Sequence, residues 1–491
     1  MLFNSTDFLI FFPVTLILYW IFPKKLRYIC LFTASYIFYM FWNPKYALLM
    51  GASTAVTFLS GILIEKLKYK KTVVAFSFII NISILVFFKY YGFLLLNINM
   101  ILSAFNIRII EKTFDIILPV GISFYTFQAL SYTIDVYRGD IKSEKNIIKY
   151  ALFVSFFPQL VAGPIERSKN LLTQIQNLDK VKRFDYNRIT EGLTLMLFGY
   201  FQKMVIADRA SILVDTVFNR YYIYNSSELL LSALLFAVQI YCDFASYSLI
   251  AIGTAKIMGI DLMENFNTPY FARSIKDFWG RWHISLSSWF RDYLYIPLGG
   301  NRCSKLRRSF NILATFLVSG LWHGANFTFI VWGAIHGIFY LIEDITSKFR
   351  NNILNNFNVK VQSFSFKFLE VFITFIIVDL AWIFFRAETI YDAFYYIKRM
   401  LTKSDLWHIF DGSLYKLGLD SFEINILIIS LIVLFSADVI KYIKKETIYV
   451  FLKNQCLYFR WAFIFFLLFF IIIYGKYGAG FDPKQFIYFQ F

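Results

Sequence analysis

The sequence is a succession of long apolar runs separated by short charged tracts, and that alternation excludes most folds. The runs cover residues 8–22, 28–42, 46–64, 73–88, 116–134, 147–165, 190–206, 228–259, 309–342, 368–385, 424–440 and 461–475. Only 16% of the 491 residues are charged and 58% are hydrophobic, whereas soluble domains carry about a quarter charged residues. Such a chain cannot cover a water-facing surface. It is expected to be an all-α polytopic membrane protein, because a helix satisfies its own backbone polar groups in lipid. Several runs are shorter than the ~20 residues needed to cross a bilayer, so tilted, broken or re-entrant segments are expected as well.

The charges that remain are placed to orient the spans. The formal net charge is +17, but the positive residues fall between apolar runs rather than on one basic face, which argues for membrane lipid and against nucleic acid as a partner. Residues 65–72 carry net +3, 166–188 net +3 and 441–460 net +4, and these loops are expected on the cytoplasmic side. Residues 404–423 carry net −3 and read as external. The first run is preceded only by Asp7 and followed by Lys24 and Lys25. That pattern is opposite to a signal peptide, and it places the N-terminus outside. By the same alternation the last span, 461–475, delivers residues 476–491 to the outer side. The division expected is a membrane domain over 1–475 and an external tail over 476–491. Four cysteines without paired spacing predict neither a disulfide framework nor a zinc cage, and no metal is expected.

Two stretches carry residues suited to chemistry. In 277–302, a helical reading puts Arg281, Ser285, Ser288 and Asp292 on one stripe, beside an aromatic stripe of Trp282, Leu286, Trp289 and Tyr293. Such a segment is too polar for lipid all round; it either lies at the interface as an anchor helix or lines a cavity. In 309–342, His323 lies roughly 21 Å along a helix that starts at a basic loop, deep in a ~30 Å apolar core. At that depth a neutral imidazole is expected, either hydrogen-bonded within the bundle or acting as a general base. His336 shares the apolar setting near the returning cytoplasmic end, and His408 sits in the acidic loop as a solvated residue.

These stretches, RWHISLSSWFRDYLYIPLGGNR at 281–302 and LWHGANFTFIVWGAIHG at 321–337, resemble the membrane-bound O-acyltransferase (MBOAT) superfamily. PVGISFYTFQALSYTIDVYRG at 119–139 and FFPQLVAGPIER at 156–167 extend the resemblance over nearly the whole chain. It is nearest to the bacterial branch that O-acetylates alginate and peptidoglycan. The resemblance implies a ring of about eleven transmembrane helices, with re-entrant segments, around a central tunnel. It also implies His323 as the catalytic histidine and His283 as the second active-site position. Many eukaryotic members carry Asn or Asp at that second position, so His283 follows the bacterial branch. Arg281, Ser285 and Ser288 are candidates to line the donor route.

The ending FIYFQF at 486–491 resembles the C-terminal tyrosine motif of cell-envelope acylation systems, which implies that Tyr488 receives the acyl group before a partner enzyme takes it. Taken together, the expectation is an O-acyltransferase of the bacterial cytoplasmic membrane. It would draw an acetyl group from a cytoplasmic thioester, acetyl-CoA by resemblance, and pass it to a periplasmic SGNH-type esterase or transferase for O-acetylation of peptidoglycan. Alginate O-acetylation, D-alanyl transfer to teichoic acid and a non-catalytic transporter are the alternatives.

Overall fold

A computed structural model describes residues 1–112, 114, 118–161, 163–403 and 406–477. The tail with Tyr488 lies outside the described residues. Every regular element among the described residues is a helix. Among the described residues, seven helices are long and apolar enough to cross a membrane: Pro44–Lys66, Lys70–Ala104, Ser226–Ile257, Phe327–Asn356, Phe364–Arg386, Ser421–Lys444 and Leu457–Tyr474. The runs at 8–22 and 147–165 form the shorter helices Thr6–Ile21 and Ile147–Leu160, as the shortage of residues predicts. The chain divides into two compact units, residues 1–193 with 250–263, and residues 194–249 with 264–491.

In the first unit, helix Ile122–Arg138 is the buried element. Gly121 and Gly139 bound it, both left-handed, a conformation open to glycine without steric penalty. A side chain at Gly121 would also run into the Leu160 carbonyl. Several polar side chains sit between the helices and are paired, which offsets their burial in apolar surroundings. Tyr150 Oη donates to Thr57 Oγ1 at 2.8 Å, Ser53 Oγ donates to Asn81 Oδ1 at 2.5 Å, and Tyr19 Oη donates to the Met258 carbonyl at 2.8 Å.

In the second unit, the run 309–342 folds as an antiparallel hairpin of helices Lys305–His323 and Phe327–Asn356. Its two arms touch through backbone. A methyl group on Gly320 would collide with the Phe329 carbonyl, and one on Gly333 with the Phe316 carbonyl. Small residues at a helix crossing allow this approach, and van der Waals contact then replaces the hydrophobic drive that lipid does not supply. Arg308 and Asp344 close the far end of the hairpin at 2.6 Å. Asn326 caps the second arm by accepting from Thr328 N, so His323 stands at the tip.

Two ion clusters sit in the same unit. Lys203 lies in a π-helical turn, Phe201–Ala207, and pairs with Asp208 at 2.9 Å and Asp243 at 2.6 Å, all three buried. Lys476 meets Glu423 at 2.7 Å. The end of the last helix and the border of the acid-rich loop therefore share one end of the unit. Helix Ser421–Lys444 carries Lys441 and Lys444 in its last turn, about 27–32 Å from Glu423 by helical rise.

Gly320→Ala should open the hairpin crossing. A loss of about 1–3 kcal/mol is expected for forcing a methyl group into packed backbone, read as a fall in the thermal midpoint of the detergent-purified protein. Gly92→Ala, where no atom lies within reach of the added methyl, should leave that midpoint unchanged.

Candidate active site

The second unit brings His283 and His323 together with ring centroids 6.4 Å apart, both buried. His323 is the last residue of its helix, and the chain turns extended at Gly324. The rings of Trp322, Trp332 and Phe385 surround it, with centroids at 5.0, 4.9 and 5.5 Å. Gly324 has no room for a side chain because the Phe329 ring packs against it.

His283 is held by a different device. The single helix read across 281–292 is not formed. Helix Ile275–Trp279 stops at Gly280, and a new helix starts at Ile284 and continues as a π turn over Arg291–Tyr295. Residues 265–267 run beside the break: Asn267 N donates to the Arg281 carbonyl at 2.9 Å, and Ile284 N donates to the Asn265 carbonyl at 3.0 Å. The break leaves His283 left-handed, at φ +43°, a region sparsely used by residues with a side chain.

Asn265 fixes the ring. Its Oδ1 accepts from Ser285 N at 3.3 Å and Ser285 Oγ at 2.9 Å, and lies 3.0 Å from His283 Nδ1. Its amide donates to Ser248 Oγ at 3.1 Å. Since a backbone N–H can only donate, this atom of Asn265 is the acceptor and His283 Nδ1 carries the proton. In the neutral ring Nε2 then holds the lone pair. The Phe244 ring meets the imidazole edge-on at 4.6 Å.

The remaining expected residues separate. Ser285 belongs to the His283 support through Asn265. Ser288 Oγ donates to the Ser285 carbonyl at 3.0 Å. Arg281 is on the other side of the paired segments, where it pairs with Asp277 at 2.8 Å and lies over the Tyr442 ring at 5.5 Å. There it lines a cavity of about 600 Å³ with Asn267, Lys441, Tyr442, Lys445 and the carboxylates Glu264 and Glu446. The stripe is thus split by the chain break: Ser285 stays with His283, and the arginine lines the cavity beside Lys441.

His336 packs between Phe278, Trp279 and Trp332, with ring centroids at 5.9, 5.2 and 5.0 Å, so Trp332 touches both hairpin histidines. His408 Nδ1 pairs with Asp411 at 2.9 Å in the acid-rich loop. Asn265 was not singled out by the sequence; its place beside His283 is a tertiary contact with no local motif. Among the described residues, no group of three His, Cys, Asp or Glu is placed to hold a metal ion.

Comparison with known proteins decides the family. The profile of MBOAT, the membrane-bound O-acyltransferase family, matches residues 141–385. The "Probable alginate O-acetylase" of Pseudomonas aeruginosa is 37% identical over 442 residues, covering 88% of this chain and 81% of that protein. The chain belongs to the membrane-bound O-acyltransferase family. The peptidoglycan O-acetyltransferase of Helicobacter pylori is 35% identical, with 82% and 80% covered. The teichoic acid D-alanyltransferase of Bacillus subtilis is 29% identical over 234 residues, 45% of this chain and 57% of that protein. The protein is a membrane O-acyltransferase enzyme.

Asn265→Ala removes the acceptor of three donors and leaves His283 Nδ1 buried without its partner, which costs about 1–3 kcal/mol. Acyl-transfer turnover in purified protein should fall about tenfold to a hundredfold. Asn265→Asp, which keeps the acceptor oxygen, should retain more activity than the alanine variant.

Proposed function

We propose that the protein moves an acetyl group from acetyl-CoA, on the cytoplasmic side of the bacterial cytoplasmic membrane, to a cell-envelope polysaccharide outside. The observation that carries this reading is the buried pair of imidazoles, one at a hairpin tip and one tautomerically fixed by Asn265. Acyl transfer needs a base for the attacking hydroxyl beside a carbonyl shielded from water, and His323 in its aromatic cage suits that need. The cavity lined by Arg281, Lys441 and Lys445, together with Glu264 and Glu446, offers cations for the phosphate-bearing end of the donor, because guanidinium and ammonium groups bind phosphate.

In this mechanism His323 takes the proton from the Tyr488 phenol as its oxygen attacks the thioester carbonyl. The C–S bond breaks, the imidazolium returns the proton to the departing thiolate, and an aryl ester remains on the tail. A phenol of pKa about 10 is easier for an imidazole to deprotonate than a sugar hydroxyl, and its ester passes the acyl group on readily. His283 would either orient the donor or help stabilise the oxyanion, and orienting the donor fits the lone pair at Nε2, which can accept from a pantetheine amide N–H. Oxyanion stabilisation would need that nitrogen protonated.

Both termini outside, and a periplasmic SGNH-type enzyme collecting the acetyl group, complete the scheme. Peptidoglycan is the acceptor we favour, on the Ile, Phe, Lys, Asn and Tyr usage of an AT-rich genome. Alginate is the second reading, supported by the 37% identity to the Pseudomonas relative over most of both chains. D-alanyl transfer has weaker support, since that similarity spans under half of this chain.

His323→Ala should lower acetylation of the wall polymer about 10²–10⁴-fold while the protein stays folded and inserted; His408→Ala should change it little. Near-normal polymer acetate in the His323 variant would make this histidine structural. Tyr488→Phe keeps the ring and removes the oxygen. Mass spectrometry after incubation with donor should show an acetyl group on the C-terminal peptide of the parent and none in the variant. Full polymer acetylation by Tyr488→Phe would limit the tail to recruiting the partner.

A further inference from the structure

The last helix does not simply fray at its end. Tyr474 is its final residue, and the two residues beyond Gly475 are still described. Arg209, buried, donates through Nη2 to the Tyr474 carbonyl at 2.7 Å and through Nη1 to the Val205 carbonyl at 2.7 Å. Its Nε contacts Glu423 Oε2 at 2.5 Å. The second oxygen of Glu423 accepts from Lys476 Nζ at 2.7 Å, and Lys476 N donates to the Met204 carbonyl at 2.9 Å.

Met204 and Val205 belong to the π turn Phe201–Ala207, whose Lys203 is fixed by Asp208 and Asp243 and lies over the Tyr247 ring at 5.7 Å. The exit of the last helix is therefore bonded to a turn that is itself pinned by buried charge. The backbone leaving the helix is thus held two residues after the helix has ended.

We propose that Arg209, Glu423 and Lys476 form a clamp that sets where the C-terminal tail leaves the protein, and that they are positioning residues for delivery of Tyr488 to the His323 site. The inference rests on the tyrosine reading above. Twelve residues separate Lys476 from Tyr488, a reach of at most about 40 Å when fully extended. On so short a tether the starting point governs the local concentration of the phenol at the base. Freeing Lys476 lengthens the effective linker and spreads its end, and effective concentration falls at least as the −3/2 power of length.

The test uses the full chain in detergent with acetyl-CoA, reading acetyl on Tyr488 by peptide mass spectrometry. Lys476→Gln moves the nearest anchor back to Tyr474, two residues earlier, so labelling of its own tail should slow by about 1.3-fold, and Lys476→Arg, which keeps the ion pair, should restore it. In a second arm, Tyr488→Phe and the double variant Tyr488→Phe/Lys476→Gln are given the free peptide 478–491 as acceptor. Equal rates there show that the catalytic centre is intact. Equal labelling of the tail in Lys476→Gln and the parent overturns the clamp alone, as does an equal loss in both arms, which makes Lys476 merely structural. No acetyl on Tyr488 in the parent refutes the tyrosine reading, and the clamp's role with it.

Discussion

The backbone contact between Gly320 and Gly333 is the constraint on which the site rests. It brings the two arms of the hairpin close enough for Trp332 of one arm to touch His323 of the other. Any side chain at that crossing would wedge the arms apart and withdraw the tip. In lipid there is no hydrophobic drive to restore the approach, because the tails are as apolar as the residues they would replace. The close fit of two backbones, with the Arg308–Asp344 pair at the far end, takes over the work that a hydrophobic core does in a soluble protein.

Around that tip the site is built from two kinds of order. His323 is confined by aromatic rings, which give shape and exclude water. His283 is confined by hydrogen bonds that converge on one oxygen of Asn265, which fixes the proton and leaves the ring orientation no freedom. A base that must take and return a proton suits the first environment; a group that must hold a partner suits the second. The same paired backbone, 265–267 against 281–284, carries Asn265 to His283 and Asn267 and Arg281 to the cavity beside Lys441.

Much of this was legible in the sequence and some was not. The apolar runs announced a helical membrane protein, and the sequences around His283 and His323 carried the family. The hairpin was implied by a run of residues too long for one crossing that began and ended near charge. The break at Gly280–His283 was not legible, because the apolar period continues across it and the helix is interrupted by pairing with a distant segment. The grouping of Arg281 with Ser285 and Ser288 failed for that reason. Asn265 could not be found from local pattern, since its meaning lies wholly in what it touches. The contact of Glu423 with Lys476 fits the alternation of loop charge, which depends only on counting.

The left-handed backbone at His283 also acts as a filter on history. Asn, Asp and His are the residues with side chains most often found at positive φ, and β-branched or bulky ones are nearly barred from it. The residues that the family resemblance places at this position, His in the bacterial branch and Asn or Asp in many eukaryotic members, are those same three. What looks like a choice among chemistries is also a choice among the few side chains that the local twist admits. A lineage could change the residue here without rebuilding the turn, as long as it stayed within that small set.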